Sequence, residues 1–184
     1  MSTARMPAVL EPDDLHRMPD ADLYELIDGV PTEKPTGVKS SRVATRLASL
    51  LDHHCVKTGC GVTFGETSYR GCFPGKPQQL RRPDISFVAT NRLPAGELPS
   101  GDFTIAPDLI AESVSPGDSY EEVLDRVADF QSAKTRLIWV ISPRTKSVLI
   151  RRADGSCAEI HESDELSGED VIPGFTRKVA ELFV

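Results

Sequence analysis

Apolar positions along this chain follow two spacings, one helical and one strand-like. From Ser40 to Val56, the residues Val43, Leu47, Leu50, Leu51 and Val56 recur every three to four positions, with Gly59 and Gly61 as stop signals. This spacing predicts an amphipathic helix of about four turns. A second stripe, Tyr120, Val123, Leu124, Val127 and Phe130, predicts another helix, with Asp118 as its cap and Glu121 three residues on, as in a capping box. A short helix over 11–17 is expected from Glu11, Pro12, Asp13 and Asp14, an acidic first turn with a proline at its start. A turn at Met18-Pro19-Asp20 follows it.

The shorter apolar runs read as strands. YELIDGVPTEK (24–34) places an Asp-Gly turn between two such runs and predicts a small hairpin. VTFGETSYRG (62–71) reads as one strand with a bulge at Gly65, and RPDISFV (82–88) as the next, across a turn-rich loop at 72–79. A Pro/Gly-rich excursion over 90–107, of a length often tied to function or mobility, precedes PDLIAESV (107–114). TRLIWVIS (135–142) and SVLIRR (147–152) pair across Pro143–Lys146, and CAEIHE (157–162) adds a further strand. Strands interleaved with two amphipathic helices predict an α/β fold, a mixed β-sheet flanked by helices.

Composition narrows the class. At 184 residues, 39% hydrophobic and 27% charged, the chain fits a single domain over 1–184. No apolar stretch approaches a membrane span, and the N-terminal MSTARMPAVLEPDDL lacks an apolar signal core, so no membrane association is expected and a cytoplasmic location is. Cys55, Cys60, Cys72 and Cys157 form no CxxC pair and are expected as free thiols. His53, His54, Cys55 and Cys60 make a poor zinc set, because consecutive helical histidines diverge by about 100°.

A net charge of −7 and a pI near 5.1 weigh against coating nucleic acid by bulk charge. Local basic clusters remain: Arg70, Lys76, Arg81 and Arg82 before Asp84, and Lys34, Lys39, Arg42 and Arg46 at the early helix. Arg81 and Arg82, with Lys39, are the nucleic-acid-binding candidates, although arginines beside a strand also serve solubility alone.

Two acids stand out against their surroundings, Asp84 in RRPDISFV and Glu112 in APDLIAESVSP. A carboxylate on an apolar run is costly unless a cation neutralises it. One reading is structural, with Asp84 at a strand start and Glu112 paired to an arginine. The other is a divalent metal: Mg²⁺ or Mn²⁺ takes hard oxygens and keeps its waters, so Asp84, Glu112 and the carbonyl of Ser113 form a sufficient protein ligand set. Arg126, on the border of the second helical stripe, can turn toward Glu112 or bond Glu122 four residues before it.

Five segments, YELIDG, RRPDISFV, LIAESVSPGDSYEEV, RLIWVISP and VIPGF…AELF, resemble in order those of the Uma-two family, which is similar to the PD-(D/E)XK, restriction-endonuclease-like nucleases. The resemblance implies a restriction-endonuclease-like core, metal ligation by Asp84 and Glu112, an auxiliary role for Glu25, and DNA phosphodiester hydrolysis. It also exposes departures. The family's lysine corresponds to Val114 or Arg126, its early histidine to Ser40 and its aspartate before the turn proline to Ser142. Arginine keeps its proton where a desolvated lysine can release one. Lys134 substitutes only if the helix end reaches the site. The expectation is therefore a Mg²⁺- or Mn²⁺-dependent DNA endonuclease with Glu25, Asp84, Glu112 and Arg126 in the catalytic site, acting as a homodimer if both strands of a duplex are cut. The alternative is a degenerate nuclease fold that binds nucleic acid or protein as a regulatory module.

Overall fold

The computed structural model describes residues 9–93 and 98–184. The reading of the extreme N-terminus falls largely on residues 1–8, and residues 94–97 belong to the 90–107 excursion; both lie outside the described residues. The elements run α1 (Pro12–Leu15), β1 (Tyr24–Ile27), β2 (Val30–Glu33), α2 (Val38–Thr58), β3 (Gly61–Gly65), β4 (Tyr69–Arg70), β5 (Leu80–Arg81) and β6 (Ile85–Ala89). Then come β7 (Leu109–Ser113), α3 (Tyr120–Ser132), β8 (Leu137–Ser142), β9 (Ser147–Arg152), β10 (Cys157–His161), β11 (Glu165–Ser167) and β12 (Thr176–Lys178). A 3₁₀ turn at Val179–Phe183 closes the chain.

The central sheet has six strands in the order β10-β9-β8-β7-β6-β3. Only β7 and β8 run parallel, and α3 makes the crossover between them. On one face, Val43, Leu47, Leu51 and Cys55 of α2 pack with Ile85, Phe87, Leu109, Ala111, Trp139 and the C-terminal residues Ile172, Phe175 and Leu182. The opposite face carries Ile110, Ile138 and Val140, covered by Val127 and Phe130 of α3 and by Tyr69, Phe73 and Phe103. A mixed sheet between helices is thus the architecture, as the hydrophobic pattern predicts. Trp139 is fully buried and stacks on Phe175, so it belongs to the core.

A second, four-stranded sheet, β2-β1-β5-β4, carries the β1–β2 hairpin. Its turn is the expected Asp28-Gly29, both residues at positive φ (50° and 80°), which matches the primed turn favoured by two-residue hairpins.

Several local expectations differ from the structure. The run 62–71 is two strands in two sheets: β3 pairs with β6 through Gly65 without a bulge, Glu66 turns at φ 47°, and β4 joins β5. The reason is Tyr69, whose ring is drawn into the aromatic cluster with Phe103 and Phe130. α3 is capped by Ser119 with Glu122 as its reciprocal partner, one residue later than Asp118 and Glu121, and this shift leaves Tyr120 74% exposed, outside the stripe. Val56 likewise points outward, at 79% exposure. The loop over 71–80 is pinned to α3, with Phe73 against Phe130 and both Lys76 and Gln79 donating to Asp129.

Candidate active site

Sheet register puts the two acids together. β6 and β7 pair antiparallel with Ile85 opposite Ala111, so one further step sets Asp84 opposite Glu112. Opposed residues of an antiparallel pair project to the same face. Here that is the α3 face, which Ile110 and Val140 also share. The Ser113 backbone N–H donates to Asp84 Oδ2 at 2.7 Å, which fixes the carboxylate against β7.

Glu112 is 2% exposed, and neither of its carboxylate oxygens has a hydrogen-bond partner. Two cations flank it at longer range, Lys34 Nζ at 3.5 Å and Arg126 Nη1 at 3.6 Å, both from Oε2. Burial outweighs their attraction and pushes the Glu112 carboxyl up to about 7. Buried polar groups are nearly always hydrogen-bonded, so this carboxylate stands out from the rest of the core.

Lys34 is the residue that sequence reasoning missed as part of the site. It follows β2 directly, and its ammonium donates to Asp84 Oδ1 at 2.5 Å and to the Arg82 carbonyl at 2.8 Å. Burial opposes its charge, but Glu112, Asp84 and Glu25 outweigh burial and raise its pKa above the ordinary lysine range. In the sequence Lys34 stood only as one member of the basic cluster with Lys39, Arg42 and Arg46 at the early helix.

Arg126 turns inward from α3, 6% exposed, with Nη1 on Glu112, Nε 3.8 Å from Glu25 and Nη2 3.4 Å from Asp118. Its charge is disfavoured by burial but held by Glu112, Glu25 and Asp118, which raise its pKa. Glu25 has both oxygens engaged: Oε2 accepts from Arg81 Nη1 and Oε1 from the Arg82 N–H. It ties β1 to the two arginines that follow it in space, Arg81 and Arg82.

The arginine pair differs most from expectation. Arg81 is 1% exposed, clamped between Glu25 and Asp129, because β5 points it beneath the small sheet rather than toward solvent. Arg82 is buried along its length, with its guanidinium on Asp22. Arg81 is closed to a phosphate, and Arg82 presents at most the edge of a small recess. Lys39 is exposed in the first turn of α2 and does not line the cleft beside Asp84. Lys134 lies exposed beyond the C-terminus of α3. Ser40 Oγ shares a hydrogen bond with Ser115 Oγ at 2.6 Å where the family's histidine is expected.

Beside Asp84 a cleft of about 790 Å³ opens along the N-terminal turns of α2, with Thr36, Gly37, Ser40, Ser41 and Ser115 on its walls. Hydroxyl groups and the free N–H groups of the first helical turn suit an anionic backbone.

A family model, Uma2, described as "Putative restriction endonuclease", matches residues 12–180. The chain belongs to the Uma2 family. At family level its activity class is that of a nuclease. Among solved structures it is similar to "a putative nuclease belonging to DUF820" from Anabaena variabilis ATCC 29413, with a TM-score of 0.81 at 21% identity, covering 93% of this chain and 96% of that one. This likeness shows a shared fold. No curated protein matches the chain. Within the Uma2 frame, the site of this member holds Asp84, Glu112, Arg126 and Lys34 in one cluster, with Glu25 and Arg81 beneath it. Among the described residues no three His, Cys, Asp or Glu side chains form a ready metal cage, and the His53–Cys60 set does not converge. Asp84 and Glu112 nonetheless fit Mg²⁺, which usually takes one or two carboxylates from the protein and the rest from water and substrate. No helix among the described residues is long and apolar enough to cross a membrane.

Proposed function

We propose that this Uma2 protein is a Mg²⁺- or Mn²⁺-dependent DNA endonuclease that hydrolyses phosphodiester bonds at Asp84 and Glu112. The observation carrying this reading is the buried Glu112 carboxylate, both oxygens unpartnered, opposite Asp84 at the wall of an open cleft.

Asp84, Glu112 and the Ser113 carbonyl would hold the ion. Bound there, a hard divalent cation lowers the pKa of a water and neutralises charge on the phosphoryl oxygens. The protein's own groups do the rest. Ser113 N–H orients Asp84. Arg126 offsets the charge of Glu112 without touching the cleft, since three carboxylates hold it. Thr36 and Ser41 offer hydroxyl contacts to a DNA backbone lying along the N-terminus of α2. With one site per chain, cutting both strands requires two encounters or a homodimer.

Supercoiled plasmid incubated with Mn²⁺ tests the reading. Native protein should produce open circles before linear DNA, and Asp84→Asn and Glu112→Gln should each lower the rate at least a hundredfold. Equal nicking by native protein and both variants would assign the cleavage elsewhere.

One observation favours the alternative of a silenced fold kept for binding nucleic acid or protein: the Lys34 ammonium already lies against both candidate ligands, where an ion would sit. Native protein inert on every DNA form, yet still binding DNA or protein, would decide for that alternative.

A further inference from the structure

The Lys34 ammonium donates to Asp84 Oδ1 and to the Arg82 carbonyl and lies 3.5 Å from Glu112 Oε2 as an ion pair, and its side chain is 13% exposed. Asp84 and Glu112 are otherwise supported only by the Ser113 N–H and by Arg126 at 3.6 Å. Without Lys34, two partly desolvated carboxylates would face each other across adjacent strands, an arrangement strongly disfavoured by like-charge repulsion. The ammonium is therefore the counter-ion of the metal-free site.

The same residue is built to move. Lysine is a compact charge on a flexible four-carbon stem, whereas Arg126 is planar and fixed by Glu25, Glu112 and Asp118. Lys34 borders a recess of about 50 Å³ together with Thr36 and Glu66, and those two residues also line the large cleft beside Asp84. That shared wall leads from the carboxylates to the cleft, the direction in which a turned lysine stem would carry Nζ. Arg126, which stands where the family's lysine is expected, has no such path.

Resting on the metal-site reading above, we propose that Lys34 is the lysine of this site: it competes with the divalent cation for Asp84 and Glu112, and it turns to the substrate phosphate when the cation takes its place. Any ligand that must displace an internal cation binds more weakly by the occupancy of that cation. Metal and DNA then bind cooperatively, because the phosphate offers Lys34 a new partner.

The test is calorimetric titration of Mn²⁺ alone into native protein, Lys34→Met and Lys34→Arg, followed by plasmid cleavage at saturating Mn²⁺. Lys34→Met is expected to bind Mn²⁺ at least tenfold more tightly than native while cleaving at least a hundredfold more slowly. Lys34→Arg, which keeps the cation, should bind Mn²⁺ as native does. If Lys34→Met is unfolded without metal, Mn²⁺ should restore its circular dichroism at concentrations below the native dissociation constant, and failure of that rescue overturns the proposal. Native binding with equal or weaker binding by Lys34→Met overturns the competition and leaves the metal site standing. Binding by Lys34→Met but not by native protein supports the competition and removes the metal-dependent reading for the native chain. Absence of binding by both overturns the two together.

Discussion

At Glu112 the opposition between burial and nearby charge has a measurable sign. Its carboxyl is held near pH 7 in the fold and near 4.5 in the unfolded chain, so between those values the native state carries the extra proton. The stabilising contribution is complete below about pH 4.5 and is lost as pH rises through 7. In metal-free buffer, native protein should therefore lose stability relative to Glu112→Gln between pH 5 and pH 8, by up to about 3 kcal/mol at 1.36 kcal/mol per unit. Denaturant titrations of both proteins at the two pH values check this, and a constant difference would mean that Glu112 is charged throughout. The sequence singled out Asp84 and Glu112 as acids on apolar runs but left a structural and a metal reading open until the family resemblance was added; the register of β6 and β7 sets the two residues opposite each other. Lys34 was not legible as part of the site, since it lies 50 and 78 residues away from them, and only the folding of the small sheet brings it between them. Arg81 was misread for the mirror reason: exposure is the default for arginine, and its two buried partners, Glu25 and Asp129, lie on other elements.

Among the elements, α3 binds the site to the rest of the fold through polar contacts as much as through its apolar stripe. Asp129 is 2% exposed and receives Lys76, Gln79 and Arg81, joining the 71–80 loop and β5 to the helix. Removing one partner of a buried ion pair leaves a charge without compensation, which costs about 3–5 kcal/mol. Asp129→Ala should lower unfolding free energy by that amount while leaving Mn²⁺ affinity within twofold, because Asp129 touches neither Asp84 nor Glu112. A variant of native stability would show that water replaces the network. Both long helices were legible from helical periodicity, and the strands of the central sheet from short apolar runs bounded by turn residues, since β7 and β8 are buried on both faces. The split of 62–71 and the cap at Ser119 were not: the first depends on an aromatic cluster assembled from Tyr69, Phe103 and Phe130, and the second on a choice between adjacent residues that both suit a cap.

For the molecule as a whole, the net charge of −7 works against holding nucleic acid by the general surface, and the proposed reading therefore assigns DNA to the cleft beside Asp84. The family frame was legible from five ordered segments, and the α/β architecture from their spacing. The place of Lys34 beside the acids required the two sheets to be seen together, because β2 and β6 belong to different sheets and Lys34, just after β2, reaches Asp84, just before β6. The central claim is that Asp84 and Glu112 form one divalent-cation site. It is tested most directly by titrating Mn²⁺ at pH 8, where Glu112 is ionised, into native protein, Asp84→Asn and Glu112→Gln. The account requires one ion per native chain and affinity at least tenfold weaker in each variant. Equal binding by all three proteins, or no binding by the native one, would contradict it.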